Sequence, residues 1–244
     1  DEAHDLFKLP DFINKMMENK WLGSKTGQGF YKKEGKEILS LDLNTLEYRA
    51  AKKASFATLE LTKTIDKPID RFKVLVKGKD KAGEFYRKNF AAMFAYCSNR
   101  VPEITDEFYK IDDAMKAGFG WENGPFEIWD AIGVEKAIAM METEGYKPAA
   151  WVTDMLAAGN TSFYTVKNGK TCFYNIPNKS QEEKPGQDAF IILDNIRESH
   201  KVWGNSDATV FDLGDGILNL EFQSKMNTIG GDVLQGINKA IDLA

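Results

Sequence analysis

Several groups of residues in this chain have types and spacings that could do chemistry. Gly23, Gly27 and Gly29 surround Lys25 and Thr26 in LGSKTGQGFYK, and Gly118, Gly120 and Gly124 lie in IDDAMKAGFGWENGPFEIWD. A glycine-rich loop with a nearby lysine can cradle phosphates, but neither cluster has the required order. Lys25 precedes its second glycine instead of following it with Ser or Thr. The Gly118-Gly120-Gly124 spacing is one residue too long for a dinucleotide fingerprint, and no strand pattern precedes it. Asp112, Asp113 and Glu127 could suggest paired carboxylates for general acid–base work, but without a placed partner a solvated helix face is the better reading. His4, beside Asp5, reads as a surface or helix-end residue, and His200 as solvated. Cys97 and Cys172 are too few and too distant for a zinc knuckle or disulfide framework. These patterns assign no catalytic, cofactor-binding or metal-ligating residue within the chain.

The elements that hold these residues can be read from periodicity. Phe108, Ile111 and Met115 fall at helical spacing, with Gly118 expected to end the helix in a left-handed conformation. Pro125 suits a first helical position, because its missing N–H would be unpaired there anyway, and Phe126, Trp129 and Ile132 make the next apolar stripe. Trp121 and Phe126 are both expected in the core. Tyr86, Phe90, Met93, Phe94 and Cys97 define a long helix closing at Ser98-Asn99-Arg100.

One pattern occurs twice. Phe12, Ile13, Met16 and Met17 form a helix stripe ending near Gly23, then Gly29-Phe30-Tyr31 and a Glu34-Gly35 turn suggest a hairpin. Trp151, Val152, Met155 and Leu156 form a similar stripe ending near Gly159, followed by Phe163-Tyr164 and an Asn168-Gly169 turn. The span 175–188 is rich in Asn, Pro, Ser, Glu and Lys and reads as a solvated connection, followed by a short helix near Phe190–Ile196. Two strands around Gly214-Asp215-Gly216 and a helix through Ile229, Val233 and Ile237 complete the chain.

With 244 residues, 43% hydrophobic and 28% charged, the chain can bury one or two cores. A net charge of -5 gives no support for a nucleic-acid partner. No stretch is long and apolar enough to span a bilayer, and the cysteine usage fits a reducing, cytoplasmic compartment. The start, DEAHDLF, has neither an initiator Met nor a signal-peptide profile, so an excised piece of a longer protein is expected.

The run GFGWENGPFEIWD closely resembles the GFGW-x-x-GPFE-x-x-D signature in the second helical repeat of 3-hydroxyacyl-CoA dehydrogenases, above all the multifunctional fatty-acid oxidation enzymes. LGSKTGQGFYK resembles the LG-x-KTG-x-GFY element that ends the first repeat. The tail, LGDGILNLEFQSKMNTIGGDVLQGINKAID, resembles the opening of an enoyl-CoA hydratase (crotonase) domain, with Asn227 at the family's N-A-L turn. A generic ββα start to another α/β domain has the same pattern.

The resemblance implies a mainly α fold: tandem helical repeats of the 6-phosphogluconate-dehydrogenase C-terminal-like type with short β-hairpins, plus a partial ββα crotonase start. It divides the chain into the end of a first repeat (1–45), a helical connection (46–84), a second repeat (85–174), a linker (175–207) and a hydratase-like fragment (208–244). By resemblance, Lys25, Thr26, Gly27, Gly29, Phe30 and Tyr31 shape the region that closes over substrate. Gly118, Gly120, Trp121, Gly124, Pro125 and Phe126 hold the second repeat against the first. Asn99 matches an Asn of the active site in the first repeat, but its place in the second favours a capping or turn role. The parent is expected to bind NAD and acyl-CoA, with the His–Glu base pair and the dinucleotide site in a domain absent here, so that this fragment alone is inactive. A non-catalytic helical docking or dimerisation module is the competing expectation. Leu218, Leu220 and Phe222 are expected to lack a partner in their own segment and to pack on the repeats or on a second copy, making a homo-oligomer.

Overall fold

The structure, a computed structural model, describes residues 4–244; Asp1–Ala3, which open the 1–45 segment and the DEAHDLF start, lie outside the described residues. The chain forms two compact units, one up to Tyr96 and one from Cys97. Among the described residues there are ten α-helices and three small antiparallel sheets, each of three strands in chain order.

In the first unit, α1 (Asp11–Glu18) turns Met16 inward, and Lys20 leaves the helix with φ 57. After a 3-10 turn at Ser24–Thr26 come β1 (Tyr31–Glu34), β2 (Glu37–Leu41) and β3 (Tyr48–Ala50). Helices α2 (Ala57–Thr62), α3 (Pro68–Leu75) and α4 (Lys81–Asn99) follow, the last turn of α4 belonging to the second unit. The N-terminus of α4 is capped by Asp80, one oxygen of which accepts the N–H groups of Ala82 and Gly83 at 3.1 Å. Its other oxygen accepts Thr58 N–H at 3.0 Å and so pins the start of α2. Phe90 joins the packing, edge-on to Phe72 and stacked on Phe94.

The second unit holds α5 (Tyr109–Phe119), α6 (Pro125–Ile132), α7 (Val134–Thr143) and α8 (Ala150–Ala157). Then come β4 (Tyr164–Lys167), β5 (Lys170–Asn175) and β6 (Ser180–Glu183), α9 (Leu193–Ile196), β7 (Lys201–Gly204), β8 (Ala208–Asp212), β9 (Leu218–Phe222) and α10 (Gly231–Leu243). Phe108, Phe126, Trp129 and Phe163 are fully buried and form one aromatic cluster. The indole N–H of Trp129 is satisfied by the Val134 carbonyl at 3.2 Å.

The two hairpin units share one register. Tyr31 faces Ser40 as Tyr164 faces Phe173, and Leu41 faces Tyr48 as Tyr174 faces Gln181, each pair displaced by 133 residues. Their preceding helices correspond too: Lys20 and Gly159 both take positive φ just past α1 and α8, and buried Met16 corresponds to buried Met155. Between helix and hairpin the first unit has nine residues, Trp21 to Gly29, where the second has three, Asn160 to Ser162. The KTG loop is the extra length.

Four expectations change. Gly118 lies inside α5, and Gly120 is the left-handed residue that ends it, with φ 68 and its N–H on the Lys116 carbonyl. Trp121 is 39% exposed and is not a core residue. The spans read as a helical connection and a linker contain strands β3, β6 and β7, held by pairing with neighbouring strands rather than by apolar patterning. The tail has its own apolar partner: α10 lies on the β7–β9 sheet, burying Val233 with Ala208, Val210 and Phe211. Leu220, expected to seek a partner elsewhere, lies 3.4 Å from the place where a Cβ on Gly236 of α10 would sit.

Because Trp121 is partly in solvent, Trp121→Ala should cost about 1 kcal/mol or less, a fall of about 2–4 °C in a unit of this size. Thermal unfolding checks it: a fall as large as that caused by truncating Phe126 would show that the Trp121 ring is packed in solution.

Candidate functional site

The residues with the most unusual environments gather where α5, α6 and β4 meet. Gly124 is needed there because α5 passes so close: a Cβ on it would lie 2.3 Å from Cβ and Cγ of Asp112. That approach lets Asp112 cap a helix not its own. Its oxygens accept the N–H groups of Phe126 at 2.9 Å and Glu127 at 3.1 Å, in the first turn of α6, and the Tyr164 hydroxyl at 2.9 Å. Glu127 in turn accepts the Gly124 N–H at 2.8 Å, the reciprocal half of a capping box in which Asp112 stands in for the side chain that Gly124 lacks. Further along α6, Asp130 accepts the N–H groups of Phe163 and Tyr164 at 2.8 Å each, clamping the entrance to β4.

Burial pushes Asp112 up to about 7, against the pull of its three donors. Burial likewise pushes Asp130 up to about 7, while the two backbone donors oppose it. Tyr164 is raised by burial and by the Asp112 charge. Two lysines offset the acid: Lys116 pairs with Glu127 at 2.6 Å, and Lys184 with Asp113 at 2.7 Å. Lys184 also lies over the Tyr109 ring, 5.2 Å from its centre.

Asp113, Lys116, Glu127, Asp130, Tyr164 and Lys184 line an open cleft of about 740 Å³ together with the apolar side chains of Val166, Pro185, Phe190 and Ile192, while Asp112 lies buried behind it. The volume suits a small ligand. Each of these charged groups already holds a donor or acceptor from a neighbouring element, so the arrangement works chiefly as a latch joining α5, α6 and β4. Burial pushes the Cys97 thiol up to about 12, which suppresses thiolate chemistry there. Among the described residues no cluster of three His, Cys, Asp or Glu side chains could hold a metal ion.

Of the sequence-selected residues, Gly124, Pro125 and Phe126 are brought together by this latch, and Gly118 and Gly120 lie at the end of α5 that leads into it. Trp121 sits on the exposed turn. Asn99, at the end of α4, donates to the Lys147 carbonyl at 3.5 Å. Lys25, Thr26, Gly27, Gly29, Phe30 and Tyr31 belong to the first unit. Thr26 organises their loop, its hydroxyl accepting the Leu22 N–H at 3.0 Å and lying 3.1 Å from the Gly23 carbonyl. Lys25 is exposed, and Phe30 and Tyr31 are 48% and 66% exposed.

Sequence reasoning missed Asp130 and gave Asp112 to a solvated face. Asp112 follows Phe108 by four residues and so shares its stripe, a signal that it faces inward.

Residues 83–171 match the 3-hydroxyacyl-CoA dehydrogenase C-terminal domain family. The match runs from inside α4 to the first residues of β5 and includes the latch. The chain is 40% identical over 242 residues, 99% of its length, to the "Probable 3-hydroxyacyl-CoA dehydrogenase" of Bacillus subtilis (strain 168), of which it covers 30%. It is 28% identical over 171 residues to the "Fatty acid oxidation complex subunit alpha" of Psychrobacter cryohalolentis, covering 64% of this chain and 21% of that protein. The chain thus spans less than a third of these relatives. No solved structure matches it significantly. No helix among the described residues is long and apolar enough to cross a membrane.

Proposed function

We propose that this chain supplies the tandem helical region of an NAD-dependent 3-hydroxyacyl-CoA dehydrogenase, with the opening of an enoyl-CoA hydratase domain at its end, within a larger fatty-acid β-oxidation enzyme. The observation that carries the reading is the GPFE-x-x-D latch inside a segment matching the dehydrogenase C-terminal domain, on a chain 40% identical almost end to end to a dehydrogenase relative. The shared register of the two hairpin units supports tandem repeats of one element. The β8–β9–α10 order supports the crotonase start.

The residues present do not fit a dinucleotide. Such cofactors bind at the carboxyl ends of parallel strands, beside a glycine-rich turn into a helix. All three sheets among the described residues are antiparallel, Gly29 leads into a hairpin, and Gly120 and Gly124 join two helices. NAD binding and the proton-abstracting base are therefore assigned to polypeptide outside these residues, in a cytoplasmic enzyme acting on acyl-CoA. What this chain contributes is shape: helical scaffolding, in which Asp112 and Asp130 lock α5, α6 and β4 together.

A segment exchange tests this. Replacing the aligned segment of the Bacillus subtilis relative with these 244 residues should preserve acetoacetyl-CoA-dependent oxidation of NADH, whereas a folded chimera without that activity would overturn the reading. The isolated chain should neither oxidise NADH with acetoacetyl-CoA nor hydrate crotonyl-CoA above a buffer blank. Either activity would overturn the placement of the chemistry elsewhere.

A further inference from the structure

The stretch 184–197 lies in a span whose composition reads as a solvated connection, yet it is anchored at both ends. Strand β6 stops at Glu183, and the Lys184 N–H still reaches the Thr171 carbonyl at 2.9 Å. Gly186, with φ 84, then turns the chain back, and the buried side chain of Gln187 takes over the pairing. Its amide oxygen accepts the Thr171 N–H and its amide nitrogen donates to the Thr171 carbonyl, both at 2.8 Å. A primary amide carries the donor and the acceptor of a peptide group, so Gln187 extends the β5–β6 ladder with a side chain.

The far end is held from two sides. Asn195 donates to the Thr171 hydroxyl at 2.9 Å, and buried Ile196 meets the hairpin turn, its Cγ2 lying 3.1 Å from where a Cβ on Gly169 would sit. The next residue, Arg197, turns to the tail. Its guanidinium donates to both oxygens of Glu221 on β9, one of them at 2.8 Å, and lies 5.7 Å from the centre of the Phe211 ring on β8. The His200 carbonyl then accepts the Asp212 N–H at 2.9 Å, where β7 begins to pair with β8. The middle of the stretch faces solvent: Phe190 and Ile191 are both exposed.

We propose that residues 184–197 are a rigid coupling that fixes the β7–β9 sheet and α10 against the second hairpin unit, with Gln187 and Arg197 as its positioning residues. A fixed joint needs a clamp on each side. Thr171 receives Gln187 and Asn195 on one side, and Glu221 receives Arg197 on the other. Both clamps resist being pulled free, because parting either leaves a buried or charged group without its partner. The orientation of the tail is then a property of this chain's own contacts. Only the naming of the two parts, a hydratase start held on a dehydrogenase repeat, rests on the proposed function.

Residual dipolar couplings of the deuterated full chain test this. Amides of residues 97–175 and of residues 201–244 should share one alignment tensor of one magnitude. A freed run from Asp188 to Arg197 wanders over roughly 16–19 Å, so combining Gln187→Ala with Arg197→Ala should lower the tail's tensor about twofold or more relative to the repeat. Signals of Phe126 and Val210 at their parent positions show that both parts of that variant are still folded. A milder change tests the same joint: two glycines inserted between Phe190 and Ile191 lengthen the exposed middle without touching either clamp, and should leave the shared tensor unchanged. A reduced tail tensor in the parent, a tensor altered by the insertion, or a shared tensor kept by the folded double variant overturns the coupling. Where the double variant does not fold, the parent and the insertion decide. None of these readouts involves NADH oxidation or crotonyl-CoA hydration, so the coupling and the proposed function can fail separately.

Discussion

Phe126→Ala should destabilise the second unit by about 3–5 kcal/mol and lower its thermal midpoint by roughly 6–20 °C. The ring is fully buried and lies 4.9 Å from Phe108, 5.1 Å from Phe163 and 6.0 Å from Trp151, centre to centre. The cost of such a truncation depends on how far the neighbours can collapse into the space. Here they are tethered. Trp129 is fixed by its indole bond to Val134, Trp151 by its indole bond to Ser98 at 3.0 Å, and Phe163 by the Asp130 clamp. The cavity should therefore persist, placing the loss toward the upper part of the range. Phe126→Leu keeps the hydrogen bond from N–H to Asp112 and much of the volume, so it should fall between the parent and the alanine variant. A midpoint for Phe126→Ala within 2 °C of the parent would sink the picture of a rigid aromatic cluster.

The contrast between legible and illegible elements follows from where their partners lie. The start of α6 is visible in the sequence because Gly124-Pro125 is a local instruction for a helix N-terminus. The second hairpin turn is visible for the same reason: Asn168 and Gly169 take φ 52 and 74, the paired positive angles of the turn that Asn-Gly favours. Gly118 and Gly120 offer the same cue two residues apart, and only the bond from Gly120 N–H to Lys116 decides between them.

Strand β6 reads SQEE, which looks like solvated chain. It is a strand because β5 supplies the pairing and because the amide of Gln181 reaches the Ser162 carbonyl. The latch was hidden for a similar reason. Asp112 and Asp130 are ordinary helix-face residues until the N–H groups of Phe126 and Phe163, fourteen and thirty-three positions away, are brought to them. The GPFE-x-x-D signature includes Asp130 but not Asp112, and it does not show that the two carboxylates bind different elements. Trp121 belongs to the same signature and nevertheless faces solvent, so motif membership does not establish burial.

The two carboxyl groups give the second large expected effect, a stability that falls as pH rises from about 5 to 8. Asp112 and Asp130 are both raised to about 7 from an ordinary 3.8, chiefly by burial. Between those values the folded chain retains protons that the unfolded chain has released, so raising the pH favours unfolding. The stabilisation is complete below about 4, is lost progressively toward 7, and is absent above it. Each group contributes on the order of 2–4 kcal/mol across the window.

The carboxylates held below their ordinary range act in the opposite direction but at lower pH. Glu221, lowered mainly by its bond from Arg197, and Asp80, lowered mainly by the Thr58 N–H, are already ionised at pH 5 in both states. They leave the upper window to the latch. Thermal midpoints measured at pH 5, 6, 7 and 8 should therefore decline in the parent. Asp112→Asn and Asp130→Asn remove the titration, so each should flatten part of the slope and the double variant most of it, even as all three variants lose stability because an amide cannot accept through both terminal atoms. A parent midpoint that is level from pH 5 to 8, or a slope unchanged in the double variant, would show that both carboxyl groups are ionised throughout and that their N–H donors, rather than burial, set their charge.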